Sequence, residues 1–228
     1  MAKTFTKIGK EITIAVKQGG PDVVGNSRLR ALLAEARSEN MPKDNVEKAI
    51  KRALEKNQGD FKEVVFEGYG PHGIAYLVET ATDNNTRTVA NFTKCGGSLG
   101  TSGSVSFMFD HKCVFKIKYQ EGLDIDELQL ALCDCDDDPE VFIEEVEDKD
   151  GEITKDVVIY GAYESYGAIQ KYIEDNGYEL VSGGFERIPN VDLKDVTPEQ
   201  RETLDKLTGL LEDDDDVTNV YSTLKPAE

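Results

Sequence analysis

The chain has 228 residues, which suits two or three modest domains, and its 39% hydrophobic, 31% charged composition without Trp specifies globular structure over low-complexity disorder. No signal peptide fits the start, the longest aliphatic stretches are too short to span a bilayer, and four cysteines without dense, regular spacing exclude a disulfide scaffold, so a cytoplasmic protein is expected. The formal net charge of −19 argues against a polyanionic partner only as a bulk number, because residues 1–56 carry twelve Lys/Arg against seven Asp/Glu, a balance of +5, and the remainder carries −24. A basic head on an acidic body fits a protein whose one end approaches phosphate.

Along the chain, apolar residues at three- and four-residue steps predict a helix over 3–18 (Phe5, Ile8, Ile12, Ala15, Val16), stopped by Gly19-Gly20-Pro21. A second helix over 28–39 turns Leu29, Leu32, Leu33 and Ala36 inward behind an Asn26 or Ser27 cap. The third opens at Met41-Pro42, with Val46, Ala49, Ile50, Ala53 and Leu54 as its stripe. Together they predict a three-helix bundle displaying Lys7, Lys10, Lys17, Arg28, Arg30, Arg37, Lys43, Lys48, Lys51 and Arg52. After Asn57-Gln58-Gly59 the pattern changes to a hairpin, 61–66 and 74–80, around the Gly68–Gly73 turn. Asp83-Asn84-Asn85-Thr86 caps a short helix toward Lys94, and the glycine-rich segment 96–103 leads into paired strands near 105–109 and 113–118. A helix near Leu123, strands over 141–146 and 153–160 about an Asp150-Gly151 turn, a helix over 163–176 and a strand over 178–188 follow. Thr197-Pro198-Glu199-Gln200 caps a last helix with Leu204, Leu207, Leu210 and Leu211 inward. The acidic turn 212–216 precedes a final strand, 217–224, which needs a sheet edge in the middle of the chain.

Candidate chemistry is sparse. Gly96–Gly103 has the flexibility of a phosphate cradle, but it lacks Gly-Lys-Ser/Thr and feeds a strand, so its glycines serve conformation or a contact surface. His72 and His111 sit at turns without a relay partner in sequence. Cys133-Asp134-Cys135 lacks the further ligands of a closed zinc site, and the Asp213–Asp216 run reads as a solvated turn because its acids are consecutive. No metal, cofactor or small-molecule substrate is expected, and the chain reads as a non-enzyme with no membrane partner.

Several segments then read together: Phe5-Thr6-Lys7-Ile8-Gly9-Lys10-Glu11-Ile12, Asn40-Met41-Pro42-Lys43-Asp44-Asn45, Glu67-Gly68-Tyr69-Gly70-Pro71, Thr82-Asp83-Asn84 with Arg87-Thr88-Val89-Ala90, Gly96-Gly97-Ser98-Leu99-Gly100, and Asp213-Asp214-Asp215-Asp216-Val217. In combination they resemble the YebC family over nearly the whole chain. The resemblance implies an α+β protein with an N-terminal three-helix bundle at 1–58 followed by two α+β (ferredoxin-like) domains, a middle one at 59–120 plus 191–228 and an acidic one inserted in it at 121–190. It further implies a nucleic-acid-binding regulator, a probable DNA-binding transcriptional regulator by the family's usual description. The alternative is a ribosome-associated translation factor acting through ribosomal RNA or mRNA, since a mitochondrial relative activates translation of cytochrome c oxidase subunit I and bacterial relatives are linked to stalled ribosomes. The basic residues named above are the expected phosphate contacts, and Tyr69, Gly70, Pro71, Gly96, Gly97 and Gly100 are expected contact loops. The chain departs from the resembled pattern between Ala90 and Cys95, where it is about four residues short, close to one turn at 3.6 residues per turn. It also begins without a Lys/Arg-rich segment that precedes this point in relatives.

Overall fold

The computed structural model describes residues 2–55, 61–84, 86–147, 151 and 153–227. The expected break at Asn57-Gln58-Gly59, Asn85 of the helix cap and Asp150 of the hairpin turn lie outside the described residues. The fold is α+β: three N-terminal helices, then two four-stranded sheets among the described residues. It divides into two compact units, each built from separated stretches. Met1–Ile14, Arg52–Asp110 and Arg187–Glu228 form the first; Ala15–Lys51 and His111–Glu186 form the second.

Helices α1 (Ala2–Gly19) and α2 (Ser27–Ser38) follow the expected stripes, whereas α3 (Lys43–Leu54) corrects its own. Of its five stripe residues only Ala49 is buried; Val46, Ile50 and Ala53 are half-buried, and Leu54, at the C-terminal end of the helix, is exposed. Asn26 caps α2 by accepting the Leu29 N–H at 3.0 Å, while its side-chain amide donates to the Ala15 and Gly20 carbonyls at 2.9 Å. One buried amide therefore starts α2 and ties it to the end of α1 and the residue that follows it.

In the first unit, strands β1 (Lys62–Tyr69), β2 (Ala75–Thr82) and β3 (Ser98–Leu99) join the last strand, β8 (Val217–Ser222), in the order β3-β1-β2-β8, all antiparallel. The pairing of β8 with β2 supplies the edge that its sequence calls for. β2 is almost wholly buried because both its faces are covered. Ile74, Tyr76 and Val78 meet Phe92 of α4 (Thr86–Lys94) and Leu204, Leu207 and Leu211 of α7 (Pro198–Glu212). Ala75 and Leu77 meet Val105 and Phe109. Helix α4 runs unbroken to Lys94 and ends where Gly96 and Gly97 bond back to Thr93 and Phe92. The full capping box forms on α7: Thr197 Oγ1 accepts from Gln200 N at 3.3 Å, and Gln200 Oε1 accepts from Thr197 N at 3.1 Å.

The second sheet has the order β5 (Glu140–Glu147), β6 (Ile153–Ala162), β4 (Phe109–Lys118), β7 (Leu180–Pro189). Helices α5 (Ile125–Leu132) and α6 (Tyr166–Asp175) contribute Leu128, Leu132, Ile169 and Ile173 to the core of the second unit, with Phe115, Ile117, Val157 and Ile159 from the strands and Ala31 from α2. One expectation is corrected here. Residues 105–109 and 113–118 are not two paired strands: Ser106–Met108 is a helical turn and β4 is a single strand that pairs with β6. The Val105 and Ser106 N–H groups bond to the Glu67 carboxylate, so they are unavailable for a ladder.

Candidate nucleic-acid interface

The ten basic residues read from the sequence fall into three groups. Lys17, Arg37, Lys43, Lys48, Lys51 and Arg52 are exposed. On α3, Lys48, Lys51 and Arg52 stand at i, i+3 and i+4, a spacing that puts them side by side on one helix face, with buried Ala49 turned inward. Among the described residues Arg37, Lys43, Lys48 and Lys51 make no ion pair, so their charge is presented to solvent. Arg52 lies over the Phe61 ring at 4.4 Å and remains exposed.

Arg28 and Arg30 are engaged within the second unit. Arg30 Nε donates to Glu174 at 2.7 Å and Nη1 to the Val23 and Val24 carbonyls at 2.8 and 2.6 Å, which takes three of its five N–H donors. Arg28 donates to Gln18 at 3.2 Å.

Lys7 and Lys10 are turned toward protein, and for Lys10 the expected display on a polar face is corrected. Its ammonium sits 2.5 Å from Asp216 Oδ1 and donates to the Asp215 carbonyl at 2.8 Å, with side-chain exposures of 10% for Lys10 and 3% for Asp216. Lys7 donates to the Glu212 carbonyl at 3.1 Å, and burial pulls its pKa below the ordinary lysine value against the pull of nearby Glu212. Lys3, one turn earlier, pairs with Asp213 at 2.6 Å.

The acidic turn is accordingly only half solvated. Asp213 and Asp215 are exposed, but Asp214 and Asp216 are buried. Asp216 accepts from Thr82 Oγ1 at 2.9 Å; Asp214 accepts from Asn91 at 3.0 Å, Thr88 at 3.4 Å and the Asp216 N–H at 3.0 Å. A run of identical acids carries no sign of which members point inward. The partners Thr82 and Thr88 lie in segments already singled out, but their pairing is non-local and only the fold reveals it.

The two contact loops meet within the first unit: Gly68 and Tyr69 of β1 pair with Leu99 and Ser98 of β3. Tyr69 is exposed at the rim and Pro71 is half-buried, while Gly70 packs on the Tyr76 ring. Gly68, Gly70 and Gly97 are required by close approach. A Cβ on Gly68 would lie 2.4 Å from the Ser98 carbonyl oxygen, and one on Gly97 would lie 2.6 Å from the Phe92 ring. Gly96 and Gly100 stay exposed. The anion-cradle geometry of the loop is already filled from inside: the Glu67 carboxylate accepts the Gly103, Val105 and Ser106 N–H groups at 2.8, 2.9 and 2.8 Å. Burial works against that charge, yet these donors outweigh it and hold the carboxyl below its ordinary range. Sequence reasoning missed Glu67, since a glutamate in an alternating strand ordinarily faces water.

The histidines stand apart from these groups. His72 is exposed in the left-handed region (φ 62) at the tip of the β1–β2 turn. His111 stacks on Tyr163 with ring centres 4.2 Å apart. The four cysteines are unbridged, no three His, Cys, Asp or Glu side chains converge as a ligand set among the described residues, and no described helix is long and apolar enough to cross a membrane.

Known proteins share this architecture. A probable transcriptional regulatory protein of Parabacteroides distasonis is 56% identical over 229 residues, covering 99% of this chain and 90% of the relative. One of Bacteroides thetaiotaomicron is 55% identical over 232 residues, covering 100% and 91%. The crystal structure of a conserved hypothetical protein from Aquifex aeolicus matches with a TM-score of 0.79 at 31% identity, covering 100% of this chain and 91% of that one. Residues 1–56 match the TACO1/YebC protein N-terminal domain and residues 61–224 the TACO1/YebC second and third domain. The chain belongs to the TACO1/YebC family.

Proposed function

We propose that this protein is a cytoplasmic, nucleic-acid-binding transcriptional regulator that holds duplex DNA through α2 and α3, and that it acts by binding and not by catalysis. The observation that carries this reading is the presentation of Arg37, Lys43, Lys48 and Lys51, exposed and without ion pairs among the described residues, in a chain of net charge −19. Lysine ammonium groups on a short helix give position-fixing phosphate contacts and little base discrimination. In this reading the loops carrying Tyr69-Gly70-Pro71 and Gly96–Gly103, whose backbones meet within the first unit, contact a more specific surface. The names of the relatives, probable transcriptional regulatory proteins, support a regulatory role. The three-domain division at 1–58, 59–120 with 191–228, and 121–190 is part of the same reading, with the acidic remainder keeping the complex soluble.

The test is Lys43→Glu/Lys48→Glu/Lys51→Glu, assayed by fluorescence anisotropy on a labelled 30-base-pair duplex at about 0.1 M salt. Loss of three phosphate contacts lowers affinity roughly a hundredfold, across unrelated sequences alike, with the melting temperature unchanged. Binding equal to the parent's would remove α3 from the interface.

A further inference from the structure

The acidic turn has no part in the function proposed above, yet it occupies the lysines nearest the N-terminus. Lys3, Lys7 and Lys10 recur at i, i+4 and i+7 on one face of α1, and that face lies along the turn between α7 and β8 in the first unit. The contacts grade from outside to inside. Lys3 and Asp213 are 56% and 72% exposed, Lys7 holds a main-chain carbonyl, and Lys10 with Asp216 is nearly closed off from water. An exposed pair contributes little and is easily exchanged, whereas a buried pair is costly to break. Asp213 and Asp215 are the exposed aspartates of the turn, while Asp214 is buried against Thr88 and Asn91 and Asp216 against Lys10.

We propose that the acidic turn is an autoinhibitory contact: Asp213 and Asp215 compete with nucleic-acid phosphate for Lys3 and Lys7, while Lys10–Asp216 is a fixed pivot. The inference rests on the nucleic-acid reading above and adds to it a built-in brake. A phosphate needs only to redirect two long side chains, because the pivot keeps the helix in place. The released lysines then add to the contacts made elsewhere on the protein.

The experiment compares four full-length proteins: the parent, Asp213→Asn/Asp215→Asn, Lys3→Gln/Lys7→Gln, and the combined quadruple variant. Each is titrated with the same labelled 30-base-pair duplex at about 0.05 and 0.3 M salt. Removing the carboxylates raises affinity about fivefold at low salt, the scale of one exposed ion pair. The gain shrinks at high salt, where exposed charges are screened, and vanishes in the quadruple variant. No gain from the aspartate changes overturns the proposal. A gain that persists without Lys3 and Lys7 overturns it too, since overall charge would then be the cause. If the parent and the triple α3 variant bind the duplex alike, the proposed function fails, and elution of the same four proteins from immobilised heparin decides the brake by the same criteria. Should the double aspartate variant lose its cooperative melt, Asp213→Asn alone, at an exposed site, is read in its place.

Discussion

Residues 3–10 and residues 43–52 each carry three lysines on a helix, and their charges have opposite fates. On α1 the lysines are drawn to the α7–β8 turn, and Lys10 ends buried beside Asp216. On α3 the lysines stay exposed and make no ion pair among the described residues. Composition counts both stretches as basic, three lysines in the first and four Lys/Arg against Asp44 and Glu47 in the second, but in the first the ammonium groups are taken up by the acidic turn. Charge count therefore overstates the binding surface, and distant carboxylates decide by how much.

The comparison breaks most visibly at Lys10. Lys10→Ala leaves the buried Asp216 carboxylate without its cation and lowers stability by about 3 to 5 kcal/mol in urea unfolding. A loss under about 1 kcal/mol, the scale of an exposed pair, would place Lys10 with the displayed lysines.

Glu67 extends the comparison to an inward carboxylate. Its three N–H donors outweigh burial and hold its folded pKa below the unfolded value near 4.3. A depressed folded pKa contributes stability that is present above the unfolded value and lost as pH falls through the folded one. Glu67→Gln lowers stability by about 2 kcal/mol at pH 7, and the gap between parent and variant narrows as pH drops below about 4.3. A gap constant down to pH 3 would show that the carboxylate's charge does not hold the loop. The smallest effect belongs to the displayed group: Lys48→Ala or Lys51→Ala shifts stability by no more than about 0.5 kcal/mol. A larger loss would mean that these side chains support the fold.

These contrasts also mark what the sequence makes legible. Local signals carry far: the stripes of α1 and α2, the Asn26 cap, the Thr197 capping box and the need of the last strand for a middle sheet edge all appear in the structure, while the α3 stripe is buried only at Ala49. The misreadings share one physical cause. The placement of Lys10, the burial of Asp214 and Asp216 and the loss of the expected strand at 105–109 all depend on partners far away in sequence, such as Lys10 to Asp216 and Glu67 to Val105. Glu67 also answers the question the glycine-rich loop raises, since an internal carboxylate already takes the N–H groups that would otherwise suit an anion.

The salt dependence of duplex affinity tests the central claim most directly. Log affinity of the parent for a 30-base-pair duplex falls steeply with log salt, by about 0.9 per phosphate contact, and Lys43→Glu/Lys48→Glu/Lys51→Glu flattens that slope by about 2.7. A parent whose affinity is indifferent to salt, or a variant with the parent's slope, would contradict phosphate binding by α3.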